Sequence, residues 1–320
     1  MGGGRDMDLD AAQLKLLFEQ KLKPKLAPLE SIRLATLKKK KALTVSVGAF
    51  FIAVLSGINS TPLLLLLFAI LVYCIFAFKV SWDNYRGSYK QQIMATLLGE
   101  INKSLVWHKD KFITQTEFEQ SGLSPKKIDS YSGEDLICGE LEGFKVAMSE
   151  LFVEQITPRP EGGSLRTPIF TGLFFKAQNC TSFAHFSYIL PAENAKQGIK
   201  ERLFAPFQSP RIGEKVALPE SEFSQYFTVI SSAPASVLQM LTPALINKLV
   251  DYRKQKQGIA ISLSFVEQNV YIAIPEGRDL FEPKLALTVT DFEVIKGLFQ
   301  DLVFFTGLLQ ELGLNSNTRH

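Results

Sequence analysis

Side chains able to do acid, base or nucleophilic chemistry are sparse in this 320-residue sequence. Histidine occurs only at His108, His185 and His320, none of them at metal-ligand spacing. His185, set between Phe183 and Phe186, has the chemistry of a general base, although a histidine in an aromatic strand is more simply a structural one. Glu134-Asp135 and Ser149-Glu150 become acid/base groups only if folding brings them together. Taken singly, Glu-Asp after Gly133 is turn chemistry and Ser149-Glu150 ends a strand. Cys74, Cys138 and Cys180 show no CxxC spacing and read as free thiols in a reducing compartment, not as a disulfide framework. HExxH, P-loop, GxGxxG and GxSxG patterns do not occur, so no cofactor and no metal are expected and catalytic residues stay unassigned.

Charge narrows the partners. Residues 1–41 carry ten basic against five acidic side chains, residues 42–78 carry none, and residues 79–320 carry 25 against 27. A near-neutral large domain lacks the basic excess that phosphate-backbone binding needs, which argues against nucleic acid. The basic residues Lys38, Lys39, Lys40, Lys41, Lys79 and Arg86 instead flank the uncharged stretch, where they set topology and can contact anionic lipid.

That stretch, Ala42 to Phe78, suits two transmembrane helices, 42–58 and 62–78, with Asn59, Ser60, Thr61 and Pro62 supplying the turn. Each is roughly 26 Å long, near the short limit for a ~30 Å hydrocarbon core. Basic flanks at both outer ends and none in the turn place both termini in the cytoplasm. Trp82, Tyr85 and Tyr89 are expected to form an aromatic belt just past the second span. The spans hold no ionisable residue beyond Tyr73 and Cys74, which disfavours a monomeric transporter.

Around the hairpin the pattern predicts four regions: a basic helical arm (1–41), the hairpin (42–78), a juxtamembrane helical connector (79–130) and a cytoplasmic domain (131–320). In the arm, Pro24 and Pro28 are expected to interrupt the helix. A helix is expected over Gln91 to Trp107, and strands over Leu136 to Ser149, Ile169 to Lys176, Ser182 to Leu190 and Phe227 to Ile230. A helix over Pro243 to Lys256 precedes a hairpin of Ile259 to Val266 and Val270 to Ile274, joined by the three residues Glu267, Gln268 and Asn269. An apolar helix from Asp291 to Leu312 closes the chain, its Glu293, Lys296, Asp301 and Glu311 marking it as a domain helix, not a span. The fold class is α+β: the transmembrane hairpin, then a mainly antiparallel sheet packed by helices.

Gly133-Glu134-Asp135-Leu136 with Gly139, Ser149-Glu150, Phe170-Thr171-Gly172-Leu173-Phe174-Phe175, Phe223 with Phe227, Leu241-Thr242-Pro243, Ser264-Phe265 and Leu280-Phe281-Glu282 resemble the domain of unknown function 3137 family of bacterial membrane proteins over most of residues 90–312. The resemblance implies paired spans ahead of a cytoplasmic domain and implies no activity. The chain departs from the family at Ala233 to Gln239, where an acidic residue and an Arg are expected. The function expected is a membrane-tethered binding or scaffolding module with an unknown protein partner. The alternatives are an enzyme acting on a lipid or envelope substrate and a subunit of an oligomeric, including homo-oligomeric, membrane assembly. Glu134, Asp135, Phe170 and Phe174 form the candidate functional surface; Phe170 and Phe174 are otherwise core.

Overall fold

The computed structural model describes residues 15–16, 18–57, 60–124, 127–178, 183–192, 213–256, 259–277 and 280–317, with main chain alone at 100–101, 183–185, 294 and 314–317. The chain divides into two compact units. One holds Leu9–Ile101 with Phe281–Phe299, the other Asn102–Leu280 with the stretch from Gln300 onward.

In the helical unit a π-helical turn, Phe18–Leu22, leads into α1 (Lys23–Leu55), and after a short turn α2 (Thr61–Ile101) follows. The expected break at the prolines does not occur. Pro24 sits in the first turn of α1, where an N–H has no helical acceptor, and Pro28 costs one main-chain bond in a helix that buries Leu26 and Leu29. The helices run antiparallel, fixed by a 2.8 Å hydrogen bond between the Thr36 and Ser81 hydroxyls and by Phe50 and Phe68 with ring centroids 6.0 Å apart.

Thr61–Gly99 is, among the described residues, the one helical stretch long and apolar enough to cross a membrane, and none of its most apolar window is buried. The apolar part of α1 ends with the helix at Leu55, roughly 21 Å from Ala42. Only one helix, not the expected two, therefore passes on length and composition. Beyond Phe78 the same helix turns inward. Tyr85 and Tyr89 are 0% and 2% exposed, so two of the three expected belt residues belong to a core with Ile93, Met94, Leu97 and Leu98. Burial raises both phenols above their usual pKa range.

Residues 281–299 complete this unit. Arg33 donates to Glu30 and, at 2.6 Å, to the Leu285 carbonyl; the Val289 N–H donates to Glu30 at 3.2 Å. Phe292 meets Phe18 with ring centroids 5.5 Å apart. Glu282 lies 2.6 Å from both Arg86 and Lys90.

The sheet unit begins with β1 (Val106–His108) and the six-residue α3 (Gln115–Gln120), which Thr114 and Glu117 close with a capping box. In the connector expected to be helical through 130, the long helix thus ends at Ile101 and only the short α3 follows, while Trp107, expected in the helix, pairs with Ile137 in the sheet. Next come β2 (Ser130–Leu141), β3 (Phe144–Pro158), β4 (Ser164–Gln178), β5 (Phe183–Pro191) and β6 (Glu214–Lys215). They are followed by α4 (Glu222–Tyr226), β7 (Phe227–Ser231), α5 (Pro234–Met240), α6 (Pro243–Gln255), β8 (Ser262–Glu267), β9 (Asn269–Ile274) and α7 (Lys296–Asn317). The described strands form one antiparallel sheet in the order β1-β2-β3-β4-β9-β8-β5-β7-β6.

The single strand expected from Leu136 to Ser149 is a hairpin. Glu142 and Gly143 both take positive φ, 52° and 82°, the geometry of a type I′ turn, and Glu-Gly carries a weaker sequence signal than Asn-Gly. The β8–β9 turn is one residue tighter than expected, because Val266 pairs with Asn269.

Strand alternation divides the core. Phe170 and Phe174 pack with Phe118, Tyr188 and Tyr271 on one face of the sheet, whereas Phe175 meets Phe305 of α7 at 4.5 Å and Tyr252 of α6 stacks on Phe304 at 3.8 Å. This is the expected α+β arrangement of antiparallel sheet and packing helices. Gly172 has φ of 152°, and a Cβ there would lie 2.1 Å from the Ile274 carbonyl oxygen, so the motif containing it needs glycine for close backbone approach.

Candidate functional site

The acidic residues singled out in the sequence meet where β2 is irregular. Glu134 pairs with Glu150, but the next ladder pair is Ile137 with Met148, so β2 carries an extra residue and bulges. Asp135 takes φ of 60°, its N–H donates to the Lys109 carbonyl at 2.9 Å, and the Leu136 N–H donates to Lys111 at 2.9 Å. Regular alternation would send adjacent residues to opposite faces of the sheet; the bulge lets Glu134 and Asp135 gather with Glu150. Gly133 gives the strand room, since a Cβ there would lie 2.5 Å from the Glu150 carbonyl oxygen.

Carboxylate oxygens of Glu134, Asp135 and Glu150 all lie within 4.8 Å of one another. Asp135 and Glu150 are fully buried and Glu134 is half-buried. Asp135 accepts from Trp107 Nε1 at 3.0 Å and Glu150 from the Leu280 N–H at 3.2 Å. An all-oxygen group of this kind suits a hard divalent cation, a chemistry that histidine and cysteine spacing did not anticipate. Ser149 Oγ, by contrast, accepts from the Ile113 N–H at 3.0 Å and serves the main chain.

Other expected residues do not join this group. Phe170 and Phe174 are 1% and 0% exposed and belong to the core, not to a functional surface. His108 is half-buried in β1, and the side chain of His185 lies outside the described residues, as does Cys180. Cys74 and Cys138 are half-buried free thiols. Lys38, Lys39, Lys40, Lys41 and Lys79 are exposed in the helical unit, whereas Arg86, expected as a lipid contact, is ion-paired with Glu282.

A second polar group was not anticipated. Lys256, at the end of α6, places Nζ 2.5 Å from both Glu276 and Asp301, and the Tyr252 hydroxyl donates to Asp301 at 2.7 Å. All four are buried or nearly so. Burial and the neighbouring Glu276 charge raise the Asp301 pKa, with Lys256 opposing. The only sequence signal was an aspartate interrupting the apolar run of α7.

The family model described as "Protein of unknown function (DUF3137)" matches residues 168–314. Over those residues the chain is similar to the DUF3137 family. The DUF3137 segment starts within β4 and runs into α7, so it holds Gly172, Lys256, Glu276 and Asp301 but not the carboxylates of the β2 bulge. Its reach is shorter than the expected 90–312, and it carries no information on the source or on a membrane. No curated protein matches the chain. Among solved structures, the mycobacterial trehalose monomycolate transport factor A, TtfA, is similar over 70% of this chain and 92% of its own, at 8% identity and a TM-score of 0.33, a level of likeness that supports no argument.

Proposed function

We propose that this protein is a membrane-tethered binding module, in which α1 and α2 both cross the bilayer, both termini are cytoplasmic, and the sheet unit engages a protein partner. The observation that carries the reading is the uncovered apolar stretch of α2, which has no burial in the protein to offset its contact with water. Because α1 lies antiparallel beside it, α1 sits at the same depth, and its exposed Val45, Phe51, Ile52, Val54 and Leu55 then face lipid as well. Lysines precede α1's apolar part and follow that of α2, while the turn carries none, which favours a cytoplasmic base. Binding is favoured over catalysis because the sequence offers no nucleophile–base motif and the Ser149 hydroxyl is engaged with the main chain.

The test is affinity purification of the full-length chain from its own membranes in mild detergent, with mass spectrometry and native size analysis. A stoichiometric protein partner is expected. A lone monomer carrying only lipid would sink the binding reading, and a symmetric multimer without other protein would replace it with a homo-oligomeric assembly.

A further inference from the structure

The basic residues of the helical unit are sorted by height. The bond between Thr36 and Ser81 sets the register of the two antiparallel helices, so Lys38, two residues beyond Thr36, and Lys79, two residues before Ser81, stand at one level. Lys39, Lys40 and Lys41 continue toward the apolar stretch, the last roughly 4.5 Å further on. All five are exposed. Four consecutive helical residues, each turned by about 100°, spread their ammonium groups around α1 instead of aiming them at one neighbour. Among the described residues no carboxylate pairs with any of the five, and the exposed Asp83 lies beyond Ser81 on the far side of that level.

Away from the apolar stretch the buried and half-buried cations Arg33, Arg86 and Lys90 are matched within the protein, Arg33 by Glu30, and Arg86 and Lys90 by Glu282, each at 2.6 Å. The protein neutralises its deeper cations with its own carboxylates and leaves those at the edge of the apolar stretch to be matched from outside. Lysine stems reach along an apolar surface while the ammonium stays at the polar boundary, where lipid phosphates lie.

We propose that Lys38, Lys39, Lys40, Lys41 and Lys79 form a collar that selects anionic phospholipid around the hairpin, an inference that rests on the two-span reading above. The full-length chain, reconstituted in phosphatidylcholine vesicles, is probed with traces of spin-labelled phosphatidylglycerol or spin-labelled phosphatidylcholine. Electron spin resonance reads the fraction of each label immobilised against protein. Phosphatidylglycerol should be preferred at least about threefold at low salt, with the preference collapsing near 1 M NaCl. It should also disappear in the variant with all five lysines changed to glutamine.

Equal immobilisation of both labels by the unaltered chain overturns the collar and leaves the tether standing. A preference that survives both high salt and the five substitutions overturns it as well. If neither label is immobilised, no helix contacts lipid and the tethering reading fails with it. The salt series uses the unaltered chain, so the outcome stands even if the substituted one folds poorly.

Discussion

Lys256 faces two carboxylates, Glu276 and Asp301, each 2.5 Å away, so one buried ammonium is shared between two acidic groups. Burial above all, and then the neighbouring Glu276 charge, make a protonated carboxyl the least costly arrangement, and the Asp301 pKa is accordingly raised from 3.8 to about 8. The raised value means that the folded state keeps a proton that the unfolded chain has released. Stability should therefore fall as pH rises from about 4 to about 8, with a slope of at most roughly 1.4 kcal/mol per pH unit from this group. Lys256 and Tyr252, both raised above their ordinary values, act only at more alkaline pH. In mild detergent the melting temperature should decline between pH 5 and pH 8, and Asp301→Asn should flatten the decline; equal slopes in the two proteins would refute the assignment. The sequence named Glu134, Asp135 and Glu150 because pairs of polar residues can be seen locally. It did not reveal the Lys256 group, whose members come from α6, the end of β9 and α7 and have no local pattern to mark them.

At the scale of elements, Glu282 decides how the segment after β9 meets α2 within the helical unit. It lies 2.6 Å from Lys90, whose side chain is 0% exposed, and 2.6 Å from the partly exposed Arg86. Removing one partner of a buried pair leaves an uncompensated charge, typically at a cost of about 3 kcal/mol or more, whereas replacing both with apolar groups is often close to neutral. Glu282→Gln should therefore lower the thermal stability of the detergent-solubilised protein sharply, and adding Lys90→Met should restore part of it. A double variant no more stable than the single one would show that the ion pair is not the source of the loss. Local reading recovered β7, α6 and the β8–β9 hairpin, whose patterns are short-range. It took Tyr85 and Tyr89 for a lipid-facing belt, whereas both are buried in a unit that residues 281–299 complete from nearly two hundred positions away, an assembly that periodicity does not encode. The β2 bulge was illegible for a similar reason, since it exists only in the register between two strands.

For the whole molecule, the number of crossings fixes which side each terminus occupies. The second helix qualifies on its own apolar length, whereas α1 has only roughly 21 Å of apolar helix and would cross only as the partner of its neighbour. Three exposed positions separate the possibilities: Lys25 before the hairpin, Ser60 in its turn and Lys103 after it. Each is changed to cysteine in a full-length chain whose Cys74, Cys138 and Cys180 are serine, and intact cells are treated with a membrane-impermeant maleimide. Two crossings with cytoplasmic ends predict labelling at position 60 alone, and labelling at 25 and 103 only after the cells are opened. If α2 alone crosses, positions 25 and 60 must behave alike and opposite to 103. That result would put the arm and the sheet unit on different sides of the membrane, would require the register held by Thr36 and Ser81 to be broken, and would so remove Lys38 to Lys41 and Lys79 from a common level. The hairpin is thus the premise on which the lipid collar depends, and the turn residue is the position that tests it.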